Sequence, residues 1–147
     1  MTRAQWDAME LRERDAVVAE KVMGLEYLCV GYFGTEDETP RMRELHGWMG
    51  RVGIWSVGSY FVNVDSDFWI EAERRQYTTS WDAMREVVEK MRAAGWSWSV
   101  DHTWGARYAR AGFTRLHKDE YASGYAEAAP EAVCIAALTA LGHMEGA

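Results

Sequence analysis

At 147 residues the chain has the length of one domain, enough to bury a single core without help from metals or disulfides. It is 48% hydrophobic and 13% aromatic with a net charge of −7, a globular balance that excludes non-specific binding of DNA or RNA, which needs a dense positive field. No run approaches the ~18 apolar residues of a membrane span, and the polar, amphipathic start lacks the apolar stretch of a signal peptide.

The first element in chain order is a helix from about Arg3 to Met23, ended by Gly24. Leu11, Val18, Val22 and Leu25 trace its apolar face, and Arg12, Glu13, Glu20 and Lys21 its solvated sides. Glu26–Phe33 is aromatic and β-branched enough for a strand. Gly34–Gly53 is rich in charge and glycine and contains Pro40, so it reads as a loop or inserted excursion, with a short helical turn around Met42, Leu45, Trp48 and Met49. Ile54–Val64 is a second strand with a bulge suggested at Gly58, and Phe68–Trp69–Ile70 opens a further apolar stretch.

Thr78–Trp96 is the best-marked helix. Thr79 is positioned to cap it, with Asp82 in the first turn, and Gly95 ends it. Trp81, Met84, Val87, Val88 and Met91 form one apolar stripe. On the other side, Arg85–Glu89 and Glu86–Lys90 have the i,i+4 spacing of helix ion pairs. Trp96–Asp101 alternates as a half-buried strand, and Trp104–Leu116 follows as its antiparallel partner, with Gly112 as a bulge position. Asp119–Glu127 is polar. Pro130–Leu141 is a last helix, apolar almost all round, which needs cover on two sides or a subunit interface. These elements predict a single α+β domain over 1–147: a mostly antiparallel sheet of four or five strands with helices on both faces, an α-β-α sandwich. Cys29 and Cys134 read as buried free thiols. The eight tryptophans are more than a small core must hold and, with the apolar last helix, predict a homodimer or higher oligomer.

Catalytic signals are poor. His46, His102, His117 and His143 have no metal-ligand spacing, and there is no dinucleotide or phosphate-loop glycine motif, so no metal, cofactor or catalytic residue is assigned. Asp101–His102 could act as an oriented base, though a strand-end polar pair is more often structural or solvated, and Asp65/Asp67 could hold a cation, though turn chemistry explains that pair. The better signal is the interleaving of Trp104, Arg107, Tyr108, Arg110, Phe113, Arg115, His117 and Lys118. Arginine forks pair with phosphates and aromatic faces stack bases, so Trp104, Arg107, Tyr108, Arg110 and Arg115 are the candidate ligand-binding residues. The three arginines share one face only if Gly112 resets the strand alternation.

Three segments, VVAEKVMGLEY at 17–27, YTTSWDAMREVVEKMRAAGW at 77–96 and YAEAAPEAVCIAALTALG at 125–142, together resemble the phage ABA sandwich domain family in order, spacing and helix punctuation. The stretch from about Phe33 to Tyr77 departs from that pattern. The resemblance implies a phage or prophage origin and a cytoplasmic life inside an infected bacterium, and it supplies no catalytic residue. The expected function is counter-defence by binding without catalysis: sequestration of a small anionic nucleotide signal, cyclic or NAD-derived. The rivals are a protein–protein inhibitor of a host defence effector, working through the 34–53 excursion and Trp48, and a phosphodiesterase-like enzyme using His102 or His117.

Overall fold

The computed structural model of the protein describes residues 1–31, 39–101, 105 and 107–146. Where one N-terminal helix is expected there are two, α1 (Arg3–Asp7) and α2 (Leu11–Lys21). Thr2 and Gln5 close a capping box on α1, and the backbone N–H of Glu10 donates to Glu13 at the start of α2. The break between them takes Trp6 into the core. There its Nε1 donates to Glu131 at 2.8 Å, and Arg14 reaches the same carboxylate at 2.7 Å.

Strands β1 (Glu26–Val30), β2 (Gly58–Asn63) and β3 (Phe68–Glu71) make one antiparallel sheet in sequence order. Between β1 and β2 lies α3 (Pro40–Val52), a 13-residue helix where the sequence reads as a loop with one helical turn. Thr39 caps it, Pro40 starts it, and Gly53 ends it in the left-handed region at φ 80°. Leu45, Trp48 and Met49 pack on Leu28, Val30, Tyr60 and Val62 to form a small second core. The β2–β1 register is continuous from Gly58 onward, and Ile54 lies outside the strand in that same small core.

Helix α4 (Trp81–Ala93) is capped by Ser80 rather than Thr79, the Ser80 hydroxyl accepting from the Ala83 N–H. Its buried stripe is Ala83, Met84, Val87, Val88 and Met91; Trp81, in the first turn, is exposed instead. After Gly95, β4 (Ser97–Asp101), β5 (Ala109–Arg115) and β6 (Glu120–Ala126) form a second antiparallel sheet. The described residues therefore hold two three-stranded sheets in place of one sheet of four or five strands. The α+β class, with antiparallel sheets and helices packed on them, is as expected. The polar stretch from Asp119 to Glu127 is a strand because its inner face, Ala122, Gly124 and Ala126, lies flat against α5 (Ala129–Ala140).

Helix α5 is buried from Ala129 to Leu138 apart from the half-buried Glu131, sandwiched by β5, β6, α4 and α2. Its apolar surface from Ala132 to Leu138 is thus covered within the chain. Cys134 is buried there and Cys29 is exposed on β1, so the two free thiols have different surroundings, against the expectation of two buried ones.

The turn before α4 is pinned from two sides. Cys134 Sγ donates to the Tyr77 carbonyl at 3.4 Å, and the buried Asp15 Oδ1 accepts from both the N–H and the hydroxyl of Thr78, at 2.9 and 2.8 Å. Burial raises the Asp15 pKa above its ordinary value more than the Thr78 bonds lower it. An acid whose pKa is raised by folding is bound to its proton more firmly in the native state. Its ionisation therefore costs stability at neutral pH, and the cost is relieved as pH falls through the raised value towards the ordinary carboxylate range. Asp15→Asn keeps the single oxygen that accepts both bonds. It is expected to remain at least as stable as the parent at neutral pH and to lose this part of the pH dependence, read by urea denaturation at neutral pH and near ~pH 5. Asp15→Ala orphans two buried donors and is expected to cost about 2–3 kcal/mol.

Candidate functional site

The β4–β5–β6 register is unbroken, with Asp101 opposite Arg110, Ser99 opposite Gly112 and Ser97 opposite Thr114, so Gly112 is no bulge. Arg110, Gly112 and Thr114 consequently point to the outer face, while Ala109, Ala111 and Phe113 point to the core. Arg115 has the opposite parity to Arg110 and leaves on the other side. Its guanidinium lies 4.5 Å over Trp96, donates to the Ala94 carbonyl at 2.8 Å and reaches Glu120 at 3.4 Å. Arg107 precedes the strand and donates twice to Glu127, at 3.1 and 3.0 Å, with its guanidinium over Tyr108; the Glu127 bonds hold it still more firmly protonated than usual. Trp104 and His102 lie outside the described residues.

Of the predicted set, the outer sheet face therefore keeps Arg110. It donates to the Tyr121 hydroxyl at 2.8 Å and lies over the Tyr125 ring, beside a shallow depression of about 280 Å³ that Ser99 and Asp101 also line. Tyr121 and Tyr125 are missing from the predicted set because β6 was not legible as a strand. The sequence brings the candidate residues close along the chain; the sheet separates Arg107, Arg110 and Arg115.

A larger groove, about 670 Å³, runs along the solvent side of α4. Met23 and Leu25 supply part of its wall from the α2–β1 turn, and the β2–β3 hairpin contributes Asn63, Ser66 and the part-exposed Phe68. Its charged side is Arg75 with Asp82, Arg85, Glu86, Glu89 and Lys90 of α4. The expected Arg85–Glu89 and Glu86–Lys90 pairs do not form. Glu86 is drawn across to Arg75 at 3.1 Å, and Glu89 pairs with Arg92 at 3.1 Å. Arg85 and Lys90 are left without an ion pair among the described residues. Arg75 Nε is buried with no acceptor, which is a costly state for a charged donor. Asn63 spends its carbonyl oxygen on the Asp65 N–H at 3.0 Å, leaving its amide nitrogen unspent. The volume is that of a small-molecule site; its apolar wall, one aromatic ring and two cations without an ion pair among the described residues suit an anion with a flat apolar body, with Asp82, likewise without an ion pair, on the same helix.

Asp65 and Asp67 serve the hairpin turn, with Asp67 at φ 53°, and no group of three His, Cys, Asp or Glu among the described residues is placed to hold a metal. No helix among them is long and apolar enough to cross a membrane. Trp48, expected to be a surface contact, is buried; the exposed tryptophan nearby is Trp55.

The sequence profile of the phage ABA sandwich domain matches residues 16–138, and the chain belongs to this family. That span includes the 33–77 stretch that departs from the pattern of the three recognisable segments. In three dimensions the chain is similar to the crystal structure of a phage protein from Bacillus cereus, at 18% identity and a TM-score of 0.57, over 92% of this chain and 90% of the other. That likeness is one of fold. No curated protein matches the chain.

Proposed function

We propose that this phage protein acts by binding, as a counter-defence protein that sequesters a small anionic nucleotide signal of the host in the groove along α4. The observation that carries the reading is the pair of cations without an ion pair among the described residues, Arg85 and Lys90, in a groove of about 670 Å³ with an apolar wall. Phosphate groups answer the cations, and Phe68 offers a ring on which a base can stack. The absence of a catalytic motif in the sequence favours capture over turnover.

The test is to incubate the protein with cyclic oligonucleotides and NAD-derived cyclic nucleotides, remove free ligand, heat, and analyse what is released. Intact nucleotide supports sequestration; degraded nucleotide means an enzyme; no uptake removes the reading. Arg85→Ala and Lys90→Ala are each expected to weaken uptake about tenfold or more, since a charge-assisted hydrogen bond contributes roughly 1.5–3 kcal/mol. Arg110→Ala is expected to bind like the parent. Loss of uptake in Arg110→Ala alone would put the ligand on the outer sheet face instead.

A second reading, inhibition of a host defence protein by direct contact, is favoured by one feature. Trp55 and Val57, in the connection from α3 to β2, are 71% and 75% exposed. Large apolar side chains of that exposure suit the centre of a protein interface.

A further inference from the structure

Strand β4 forms one edge of the second sheet, and among the described residues its protection is slight: it is short, and its single charge, Asp101, stands at its end. Its five residues, Ser97–Asp101, pair with β5 in continuous register, without proline, lysine or bulge. The other edges are less open. On β6 the Tyr125 carbonyl is taken by Arg3, β3 is four residues long and runs into a 3-10 turn, and β1 begins at Glu26, whose carboxylate is paired with Arg41. Beside β4, a cavity of about 360 Å³ opens between the strand and α4, floored by Met84 and Val88 and flanked by Trp81 and Trp98. Both tryptophans are substantially exposed, at 58% and 38%.

We propose that two copies of this chain associate through β4, pairing antiparallel about a two-fold axis at Ser99 to join the two second sheets into one of six strands. The strand is complementary to itself in this register. Trp98 stands opposite Val100 of the second copy on the inner side, twice over, which gives two aromatic–β-branched cross-strand pairs next to the exposed Trp81. On the outer side Ser97 stands opposite Asp101 and Ser99 opposite Ser99, so no like charges face one another. The axis at Ser99 is also the one register that uses all five residues of both copies. The isologous pairing closes on itself and caps both open edges. The cavity beside the strand shares Arg85 and Glu89 with the α4 groove, but the pairing is made by β4 itself and needs no ligand, so sedimentation without nucleotide tests it separately from the proposed function.

Because Ser97 is exposed and faces Asp101 of the other copy, its charge can be set without touching the core. Sedimentation velocity of the parent from low to high micromolar concentration is expected to show a monomer–dimer equilibrium. Ser97→Asp is expected to move the midpoint about tenfold higher and Ser97→Lys several-fold lower, because each changed pair occurs twice and a cross-strand charge pair contributes roughly 0.2–1 kcal/mol. Circular dichroism matching the parent certifies that both variants are folded. A parent that stays monomeric throughout overturns the proposal, and so do two variants that shift in the same direction or not at all.

Discussion

Gly124→Ala is expected to destabilise the protein by about 3 kcal/mol, at or beyond the upper end of ordinary overpacking. A methyl built on Gly124 would lie 2.4 Å from the Ala132 carbonyl oxygen, 2.5 Å from the Ala136 nitrogen and 2.9 Å from Ile135 Cβ. Two of these three neighbours are backbone atoms in the middle of α5, so no side-chain rotation relieves the contact, and either the strand or the helix must move. Ala132 and Ala136 are fully buried, and their small size is what brings α5 so close to β6. Gly112→Ala provides the control. There the added methyl meets the Tyr121 ring at 3.2 Å and Ser99 Oγ at 3.4 Å, both on side chains at the open face that can swing aside. That variant should lose less than about 1 kcal/mol. Urea denaturation midpoints of the two variants decide the matter: equal losses would mean that β6 and α5 are not in close contact.

Trp6→Ala is expected to cost about 3–5 kcal/mol, as for other buried aromatic truncations. The effect should be that large although α1 is five residues long and sits at the start of the chain. Trp6 is fully buried, and its indole N–H, the Arg14 guanidinium and the Glu131 carboxylate form one network joining α1, α2 and α5. Arg14 also donates to the carbonyls of Trp6 and Asp7, at 3.1 and 3.0 Å, which fixes the break between the first two helices. Trp6→Phe keeps most of the apolar area and removes one hydrogen bond to a carboxylate that Arg14 still satisfies, so it should cost about 1–2 kcal/mol. If Trp6→Ala melts within a degree or two of the parent, α1 is frayed in solution and the network is not holding it.

The sequence made some of this architecture plain and hid the rest for identifiable reasons. Helix α4 is legible because Met84, Val87, Val88 and Met91 face one large core at helical spacing, and α5 because nothing polar interrupts the run from Ala132 to Leu138. Helix α3 is hidden by Gly47 and Gly50 inside it and by a buried stripe of three residues, which is all that its small core requires. Strand β6 is hidden because its inner face is Ala122, Gly124 and Ala126; closeness to α5 selects small residues where strand propensity would favour branched ones. The site was less legible still. Which cations are spare depends on where Glu86 and Glu89 go, and their choice of Arg75 and Arg92 follows from tertiary placement and helix geometry that i,i+4 spacing alone does not contain. The hairpin arginines stood out because they are close in sequence and have no acid among them, yet their partners, Glu127 and Glu120, arrive from the next strand and the residue after it.

Strand β2 is a party wall between two rooms of unequal size. Phe61 furnishes the large one, and Tyr60 and Val62, its immediate neighbours, furnish the small one roofed by α3. A slip of β2 by a single residue would exchange all three, so two interiors check one alignment, and the strand is specified more strictly than its six residues suggest. The rooms are not equal in the other direction. Without the main core β2 would keep only the small cover of α3, whereas removing α3 would uncover Tyr60 and Val62 and leave Phe61 in the larger interior. Opening at α3 is therefore expected to cost less than opening of the unit built around α5, as native-state hydrogen exchange would read.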